Sequence, residues 1–191
     1  MTDWRHINYV VVDVEGNGQQ PPELIELAVV PVTGGKVDEP TSWLVRPPHP
    51  IKFFATSLHG LKTSDVALCP PIADIAAEVR HALDVPALVA HNAHVDVSVL
   101  ERELDGWKAP EVFDTLRLAR RLAPDLPSYK LGMLAERFKL ASGLPDKLAP
   151  HRATYDALVT ARLFVHLADK AGTLEELRGQ PPEKAEDDAL F

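Results

Sequence analysis

Two acids at the end of a predicted strand are the first residues whose types and spacing could support catalysis. Asp13 and Glu15 lie two positions apart in the β-branched run INYVVVDVEG, which predicts a buried strand. Side chains two apart on a strand project to the same face, so these carboxylates would share one small region. A bound cation would offset their repulsion, but an ordinary strand end would also let both acids reach water. On this pair alone the second interpretation is favoured.

Two further acids lie on the apolar stripes of predicted helices. Asp96 falls in the first turn of its helix and in line with Val99 and Leu100. Asp156 is in line with Val159 on a helix that is otherwise amphipathic. Favourable charge at a helix N-terminus is an alternative role for Asp96 that needs no metal. Two helices with an acid among their buried positions nevertheless favour a shared site.

His151 is the candidate base. It precedes Asp156 by five positions, a spacing that would place the two residues on different sides of a continuous helix. Pro150 favours a helix start just downstream, so His151 is predicted to lie in the preceding loop and could converge on Asp156 from there. An imidazole suits a general base because its unperturbed pKa is about 6.5. Taken alone, a surface histidine is the simpler interpretation, and the case for a base depends on the four acids.

Composition is that of a globular protein, with 46% hydrophobic and 25% charged residues in 191. No apolar run approaches the roughly 20 residues of a membrane span, and the N-terminus does not resemble a secretory signal. The single Cys69 permits no internal disulfide, so a cytoplasmic location without membrane contact is expected. We expect one domain over residues 1–175 and an acidic, disordered tail over residues 176–191.

The net charge of −8 argues against a nucleic-acid partner. The objection weakens when the positions of the charged residues along the chain are considered. Several acids are expected to meet metal cations, and the C-terminal segment PPEKAEDDALF contains others. A basic stretch from Arg117 to Lys147 contrasts with both. It could follow the phosphates of a nucleic acid or form an ordinary solvated helical surface, and its sequence does not distinguish these.

The elements that would position these residues follow from hydrophobic periodicity. Five strands are predicted at INYVVVDVEG, ELIELAVVPV, KVDEPTSWLVRP, PALVAHN and EVFDT. Five helices are predicted at PIADIAAEVRHAL, HVDVSVLERELDGW, TLRLARRLA, KLGMLAERFKL and ATYDALVTARLFVHLADK. The Pro-rich segment from Pro47 to Pro71 is predicted to be a loop. A hairpin followed by alternating strands and helices indicates an α/β fold, in which helices cover a mixed sheet.

Three strings that carry the acids, DVEGNG, HNAHVD and HRATYD, resemble the motifs of the DEDDh exonucleases. This DnaQ-like family includes polymerase proofreading subunits, and the resemblance runs from about Tyr9 to Phe164. It implies a ribonuclease H-like fold with a five-stranded mixed sheet, and 3′→5′ exonuclease activity that releases nucleoside 5′-monophosphates. The family's metal ligands map onto Asp13, Glu15, Asp96 and Asp156, and its general base onto His151. Carboxylates without thiolates select a hard cation, so two Mg²⁺ or Mn²⁺ ions per site are expected.

The same resemblance indicates residues that would contact the terminal nucleotide. Gly16 and Asn17 stand where the family usually has a threonine pair, so their contacts would differ from the usual ones. Leu58 and His59 resemble the family's segment beside the terminal bases, and Asn92 lies in the second motif. For the glycine turn and for the leucine, a purely structural role is an equally good interpretation.

The expected substrate is a single-stranded or frayed 3′ end of DNA, as in proofreading or repair. RNA 3′ ends and short oligoribonucleotides are the alternative, because the metal site is indifferent to the 2′-hydroxyl. A non-catalytic nucleic-acid-binding or scaffolding module is an alternative of another class, although the five intact residues count against it. A polymerase partner would fit the family, and the C-terminal DDALF faintly resembles peptides that bind sliding clamps.

Overall fold

The computed structural model describes residues 2–180 and contains one mixed sheet covered by helices. The strands are β1 (Tyr9–Gly16), β2 (Leu24–Thr33), β3 (Lys36–Val37), β4 (Thr41–Leu44), β5 (Ala87–Ala90) and β6 (Glu111–Asp114). Their order is β3-β2-β1-β5-β6, and β4 also pairs with β2. β1 is antiparallel to β2 and parallel to β5, which is parallel to β6. The predicted α/β fold with a mixed sheet is confirmed.

The prediction of five strands is wrong, because the third predicted strand is divided in two. β3 pairs Val37 with Val32, whereas β4 pairs Thr41 with Val29 further along β2. The residues between β3 and β4 leave the sheet at Pro40, which has no backbone N–H to donate to a neighbouring strand. The described part of the chain therefore forms a six-stranded sheet.

The helices are α1 (Phe53–His59), α2 (Thr63–Val66), α3 (Ile72–Ala82), α4 (His94–Glu103), α5 (Thr115–Leu122), α6 (Leu131–Arg137), α7 (Ala153–Ala171) and α8 (Leu174–Arg178). The five predicted helices correspond to α3 through α7. α1 and α2 lie in the segment that was predicted to be a loop. α1 has only seven residues and buries Ala55 and His59 while its large apolar side chains are exposed, so hydrophobic periodicity does not mark its buried face.

Alternation along β1 divides the core into two layers. Val11 faces the layer that contains α5, α6 and α7, whereas Val10 and Val12 face the layer that contains α3 and α4. Asp13 and Glu15 continue the odd-numbered side of the strand. The two acids therefore share one face of the sheet, as their spacing predicted, and this is the face toward α7.

The longest helix, α7, gives the site a fixed platform. It has 19 residues, and Val159, Leu163, Phe164 and Leu167 are fully buried against the sheet. Complete burial of one such side chain contributes about 1.5–3 kcal/mol to stability. The first turn of this strongly held helix contains Asp156.

The domain extends past the boundary predicted at residue 175, which falls inside α8. Leu174 and Leu177 are buried, and the Leu174 N–H donates to the carbonyl of Thr2 at 2.9 Å. The remainder of the predicted tail, residues 181–191, lies outside the described residues. Between residues 2 and 180, no helix combines the length and the hydropathy needed to cross a bilayer.

Candidate active site

The candidate site lies at the carboxyl end of β1, beyond the stretch that pairs with β5. This parallel pairing covers only Tyr9 to Val11 and β5 ends at Ala90, so Asp13 and Glu15 lie beyond the end of β5. On the other side, β2 continues and places Glu26 opposite Glu15. The two acids are thus held by one neighbouring strand and remain accessible from the side of β5. In open α/β sheets, ligands commonly bind at such carboxyl ends.

All four predicted carboxylates meet at this end of the sheet. One side-chain oxygen from each of Asp13, Glu15 and Asp156 lies within 4.8 Å of the others. Asp96 is buried in the first turn of α4 and accepts a hydrogen bond from the Val14 N–H at 3.1 Å. Asp96 is therefore tied to the backbone of β1 between the two strand acids. The convergence predicted from the sequence pattern is present in the structure.

Burial raises the pKa of each acid in this carboxylate cluster. The pKa of Asp13 is raised well above its ordinary value, first by burial and then by the charges of Asp96 and Asp156. Burial and the charges of Asp156 and Glu26 raise the pKa of Glu15 to about 8. Burial also raises the pKa of Asp96 to about 7 and that of Asp156 to about 6. Near neutral pH the cluster therefore favours positive charge, from protons or from a bound cation.

His151 lies in the turn before α7, as predicted from Pro150. Its backbone is left-handed, with φ of 63°, and its N–H donates to Asp156 Oδ2 at 2.9 Å. This hydrogen bond brings together two residues that a continuous helix would have kept on different sides. The His151 side chain is exposed, so its backbone is anchored while its imidazole stays accessible.

An ion pair between a buried acid and a partly exposed arginine, which was not predicted from the sequence, holds the same turn from the sheet side. Glu26 is only 3% exposed and accepts hydrogen bonds from Arg152 Nε at 2.9 Å and Nη2 at 2.8 Å. The Ala153 N–H donates to the same carboxylate at 3.2 Å. The Glu26–Arg152 pair thereby fixes the start of α7, and with it His151 and Asp156. An acid inside the otherwise apolar run LIELAVV was the available signal.

Leu58 and His59 differ in exposure, although both were predicted to bind the terminal nucleotide. Leu58 is 55% exposed and is available for contact. His59 is buried, and its Nδ1 accepts a hydrogen bond from the Leu61 N–H at 3.1 Å. Burial lowers the pKa of His59, which favours the neutral imidazole. Its Nε2 has no partner within residues 2–180.

Asn17 organises the loop after β1 and is fully buried. Its Nδ2 donates to Glu23 Oε2 at 2.7 Å and to the His49 carbonyl at 3.2 Å. Its Oδ1 accepts from the N–H groups of Gln19 and Glu23, and its own N–H donates to the Glu23 carbonyl. The structure therefore favours the turn-closing role over the predicted substrate contact, because these groups already have partners inside the protein.

Gly16 and Asn92 lie at the rim of the site. A Cβ on Gly16 would be 2.9 Å from the Cβ of Pro22, so this position leaves no room for a side chain. Asn92 follows β5 with φ of 64°, and its N–H donates to Asp114 Oδ1 at 3.0 Å. Its half-buried side chain lines a cavity of about 500 Å³ together with Asp13.

Comparisons with known proteins agree with this geometry. The profile of RNase_T, described as an exonuclease family, matches residues 10–164. The chain is 34% identical to the 3′-5′ exonuclease DinG of Bacillus subtilis (strain 168), over 89% of this chain and 19% of DinG. It is 35% identical to a PolC-type DNA polymerase III of Caldanaerobacter subterraneus subsp. tengcongensis, over 85% of this chain and 12% of the polymerase. The chain thus spans less than a fifth of these two relatives.

Two other similar proteins are matched over most of their length. Exodeoxyribonuclease 10 of Escherichia coli (strain K12) is 33% identical, over 90% of this chain and 75% of the relative. A solved structure of exonuclease X in complex with 5′ overhanging duplex DNA superposes with a TM-score of 0.72. It is 32% identical, and the match covers 88% of this chain and 99% of the other.

Proposed function

The chain belongs to the RNase_T family of exonucleases, and from this premise we propose that it is a metal-dependent 3′→5′ exonuclease acting on DNA. The proposed products are nucleoside 5′-monophosphates. The convergence of Asp13, Glu15 and Asp156 within 4.8 Å carries this proposal. Crowded, partly buried carboxylates oppose folding unless protons or cations compensate them, so their presence is best explained by a catalytic metal site.

The side chains present fit Mg²⁺ or Mn²⁺. All four candidate ligands offer carboxylate oxygens, which hard divalent cations prefer, and the raised pKa values show that positive charge is favoured there. We assign two ions to Asp13, Glu15, Asp96 and Asp156. When bound, such ions neutralise charge on the scissile phosphate and lower the pKa of water.

His151 is the proposed general base, accepting a proton from the attacking water on its exposed imidazole. The hydrogen bond from its N–H to Asp156 and the neighbouring Glu26–Arg152 pair orient it. A positioned base of this kind accelerates a reaction roughly a hundred- to ten-thousandfold. The backbone of His151 is thus held in place while its imidazole remains accessible to water and substrate.

The terminal nucleotide is proposed to lie between the end of β1 and α1. The backbone of Gly16 is proposed to contact the sugar, and the exposed Leu58 to contact the terminal base. His59 supports this rim from the buried side, and Asn92 lies on the opposite side of Asp13. Gly16, Leu58 and Asn92 are therefore the proposed substrate contacts, whereas the buried His59 and Asn17 support the rim from inside.

DNA is proposed as the substrate because the similar proteins include exodeoxyribonuclease 10 and exonuclease X in complex with DNA. RNA is the alternative, since four carboxylates do not read a 2′-hydroxyl. Similarity to part of a PolC-type polymerase supports a further proposal, that the chain works beside a DNA polymerase in the cytoplasm. The predicted sliding-clamp contact falls on residues 181–191, outside the described residues.

The proposed function is tested with single-stranded DNA and RNA of one sequence, each labelled at its 5′ end. With Mg²⁺ or Mn²⁺ we expect labelled products that shorten stepwise from the 3′ end, with DNA degraded faster than RNA, and no reaction in chelator. Chromatography should identify the released product as a nucleoside 5′-monophosphate. Release of the 5′-terminal label in the first step would contradict the direction. Inactivity on every polymer with either metal would instead support the non-catalytic alternative.

A further inference from the structure

Two cavities flank the carboxylate cluster and share one wall. The cavity of about 500 Å³ beside Asp13 also contacts Arg120 and Lys130. A cavity of about 870 Å³ beside Asp156 and His151 is lined in part by Lys130, Leu131 and Lys139. Lys130 and Leu131 contribute to both cavities. The two cavities therefore form one groove across the cluster, which we call the Lys130 groove, with Arg120 and Lys139 toward its two ends.

The wall of the Lys130 groove is fixed to the sheet by His91, at the end of β5. His91 Nε2–H donates to the Tyr129 carbonyl at 3.0 Å, because a carbonyl oxygen can only accept. The other ring nitrogen, Nδ1, lies 2.9 Å from Thr115 Oγ1. Burial lowers the pKa of His91, which favours the neutral ring, in which Nε2 carries the proton and Nδ1 can accept from the Thr115 hydroxyl. The segment that carries Lys130 is therefore held in place before any ligand binds.

The cations of the basic stretch are not equivalent once the chain is folded. Arg117 pairs with Asp114 at 3.7 Å, and Arg121 donates to the carbonyls of Glu176 and Leu177. Arg120 and Lys130, by contrast, make no ion pair with any residue from 2 to 180, and both are exposed. The folded chain thus separates structural cations from cations that face the Lys130 groove.

The Lys130 groove also offers surfaces on which bases could stack. The Arg120 guanidinium lies 5.9 Å from the centroid of the Tyr129 ring, which is partly exposed. Leu131 and Met133 add apolar surface on the side of His151. Proteins that bind single-stranded nucleic acids combine cations along the backbone with aromatic surfaces for unpaired bases. A duplex would keep its bases stacked inside and would not use such surfaces.

We propose that the Lys130 groove binds the substrate strand on the 5′ side of the scissile phosphate, as unpaired nucleic acid. Arg120 and Lys130 contact its phosphates, and Tyr129 contacts a base. This inference rests on the proposed function, because the carboxylate cluster defines where the scissile phosphate lies. It also accounts for phosphate affinity in a chain whose net charge is −8. The preferred substrate is then an oligonucleotide of several residues rather than a small phosphodiester.

The test compares two double variants with the same change in charge. Arg120→Gln/Lys130→Gln removes two of the three groove cations and keeps Lys139, whereas Arg117→Gln/Arg137→Gln removes two cations from the same basic stretch that line neither cavity of the groove. Affinity for a fluorescent 12-nucleotide DNA strand is measured by anisotropy in chelator. The ratio of kcat/KM for this strand to kcat/KM for the 4-nitrophenyl ester of thymidine 5′-monophosphate is measured with Mn²⁺. Thermal unfolding shows whether each variant is folded.

The groove variant should bind the strand roughly tenfold more weakly and lose a similar factor in the kcat/KM ratio. Its salt dependence should also fall, by about 1.4 in the slope of log K against log salt, because two phosphate contacts are lost. The control variant should retain wild-type values. Equal losses of affinity in the two variants, or no measurable affinity of the wild type for the strand, would overturn the proposal that the Lys130 groove binds the strand. If the wild type bound the strand but hydrolysed neither substrate, the proposed function would fail and the groove would stand.

Discussion

The two halves of the candidate site are held in place by different means. Asp13 and Glu15 belong to β1, whose position is set by continuous pairing with β2. His151 lies in an exposed turn with a left-handed backbone, held by its hydrogen bond to Asp156 and by the neighbouring Glu26–Arg152 pair. The sheet thus fixes two of the four proposed metal ligands, while side-chain contacts fix the residue that would transfer a proton. Loss of one contact that supports His151 should therefore lower kcat only in part, whereas loss of a proposed metal ligand should abolish activity.

The largest effect is expected from a ligand substitution on α7. Asp156→Asn removes a charged metal ligand with little change in size, so kcat should fall at least about a thousandfold, since metal ions contribute several kcal/mol to such reactions. Steady-state hydrolysis of the labelled DNA strand at saturating Mg²⁺ measures this. Asp146→Asn, an exposed acid on the loop before α7, is the matched control and should be fully active. Near-normal activity of Asp156→Asn would remove this residue from the site.

A smaller loss of rate is expected when the base is removed and the ligands are kept. His151→Ala should lower kcat by about a hundred- to a thousandfold, within the range of positioned general bases. Binding of Mn²⁺, followed by calorimetry, should stay close to wild type, because no carboxylate is altered. If His151→Ala lost as much Mn²⁺ affinity as Asp13→Asn, His151 would be a metal ligand. The distinction between metal-binding residues and a separate base would then be wrong.

The Glu26–Arg152 pair should act as a positioning device with a moderate effect. Glu26→Gln weakens its hold on the turn, and we expect kcat to fall roughly tenfold with little change in KM, since a small misplacement of catalytic groups is costly. Arg152→Gln should have a similar effect, and the double variant should be no worse than either single one, because both changes break the same interaction.

A second bidentate pair provides the control for this cycle. Arg178 and Glu111 are joined at 2.8 Å on the surface near α8, away from the carboxylate cluster. Arg178→Gln/Glu111→Gln should change stability without lowering kcat. Additive losses of kcat at Glu26 and Arg152, or an equal loss of kcat in the control, would show that the Glu26–Arg152 pair does not act through the position of His151.

The smallest predicted effect concerns stability without metal. The pKa is raised to about 8 at Glu15 and to about 7 at Asp96, so the folded chain binds more protons than the unfolded chain below these values. The free energy of unfolding should therefore fall as pH rises from about 6.5 to 8. Below about 6.5, the lowered pKa values of His59 and His91 act in the opposite direction. Thermal unfolding in chelator measures the trend, and a melting temperature that rises across pH 6.5–8 would contradict it.

The acids of the candidate site could be predicted from the sequence, whereas the contacts that hold His151 and its turn could not. The four acids follow from short-range patterns, namely a two-residue spacing on a strand and carboxylates on apolar helix stripes. The partner of Arg152 is 126 positions away, and no local pattern links the two residues. Asn17 could not be placed either, since its four side-chain hydrogen bonds, to Gln19, Glu23 and His49, depend on how the following loop folds back. Local periodicity indicates the proposed metal ligands, whereas the contacts that position the site are tertiary.

The central claim, that the carboxylate cluster is a metal site, is tested most directly by thermal unfolding of wild type and Asp13→Asn with and without Mn²⁺. In wild type, Mn²⁺ at a hundredfold excess over Kd should add about 2.7 kcal/mol and raise the melting temperature. Without metal, Asp13→Asn should melt at or above wild type, because it removes a charge that its neighbours disfavour, and it should lose most of the Mn²⁺ response. If Asp13→Asn melted well below wild type and responded fully to Mn²⁺, Asp13 would be a structural residue and the claim would be contradicted.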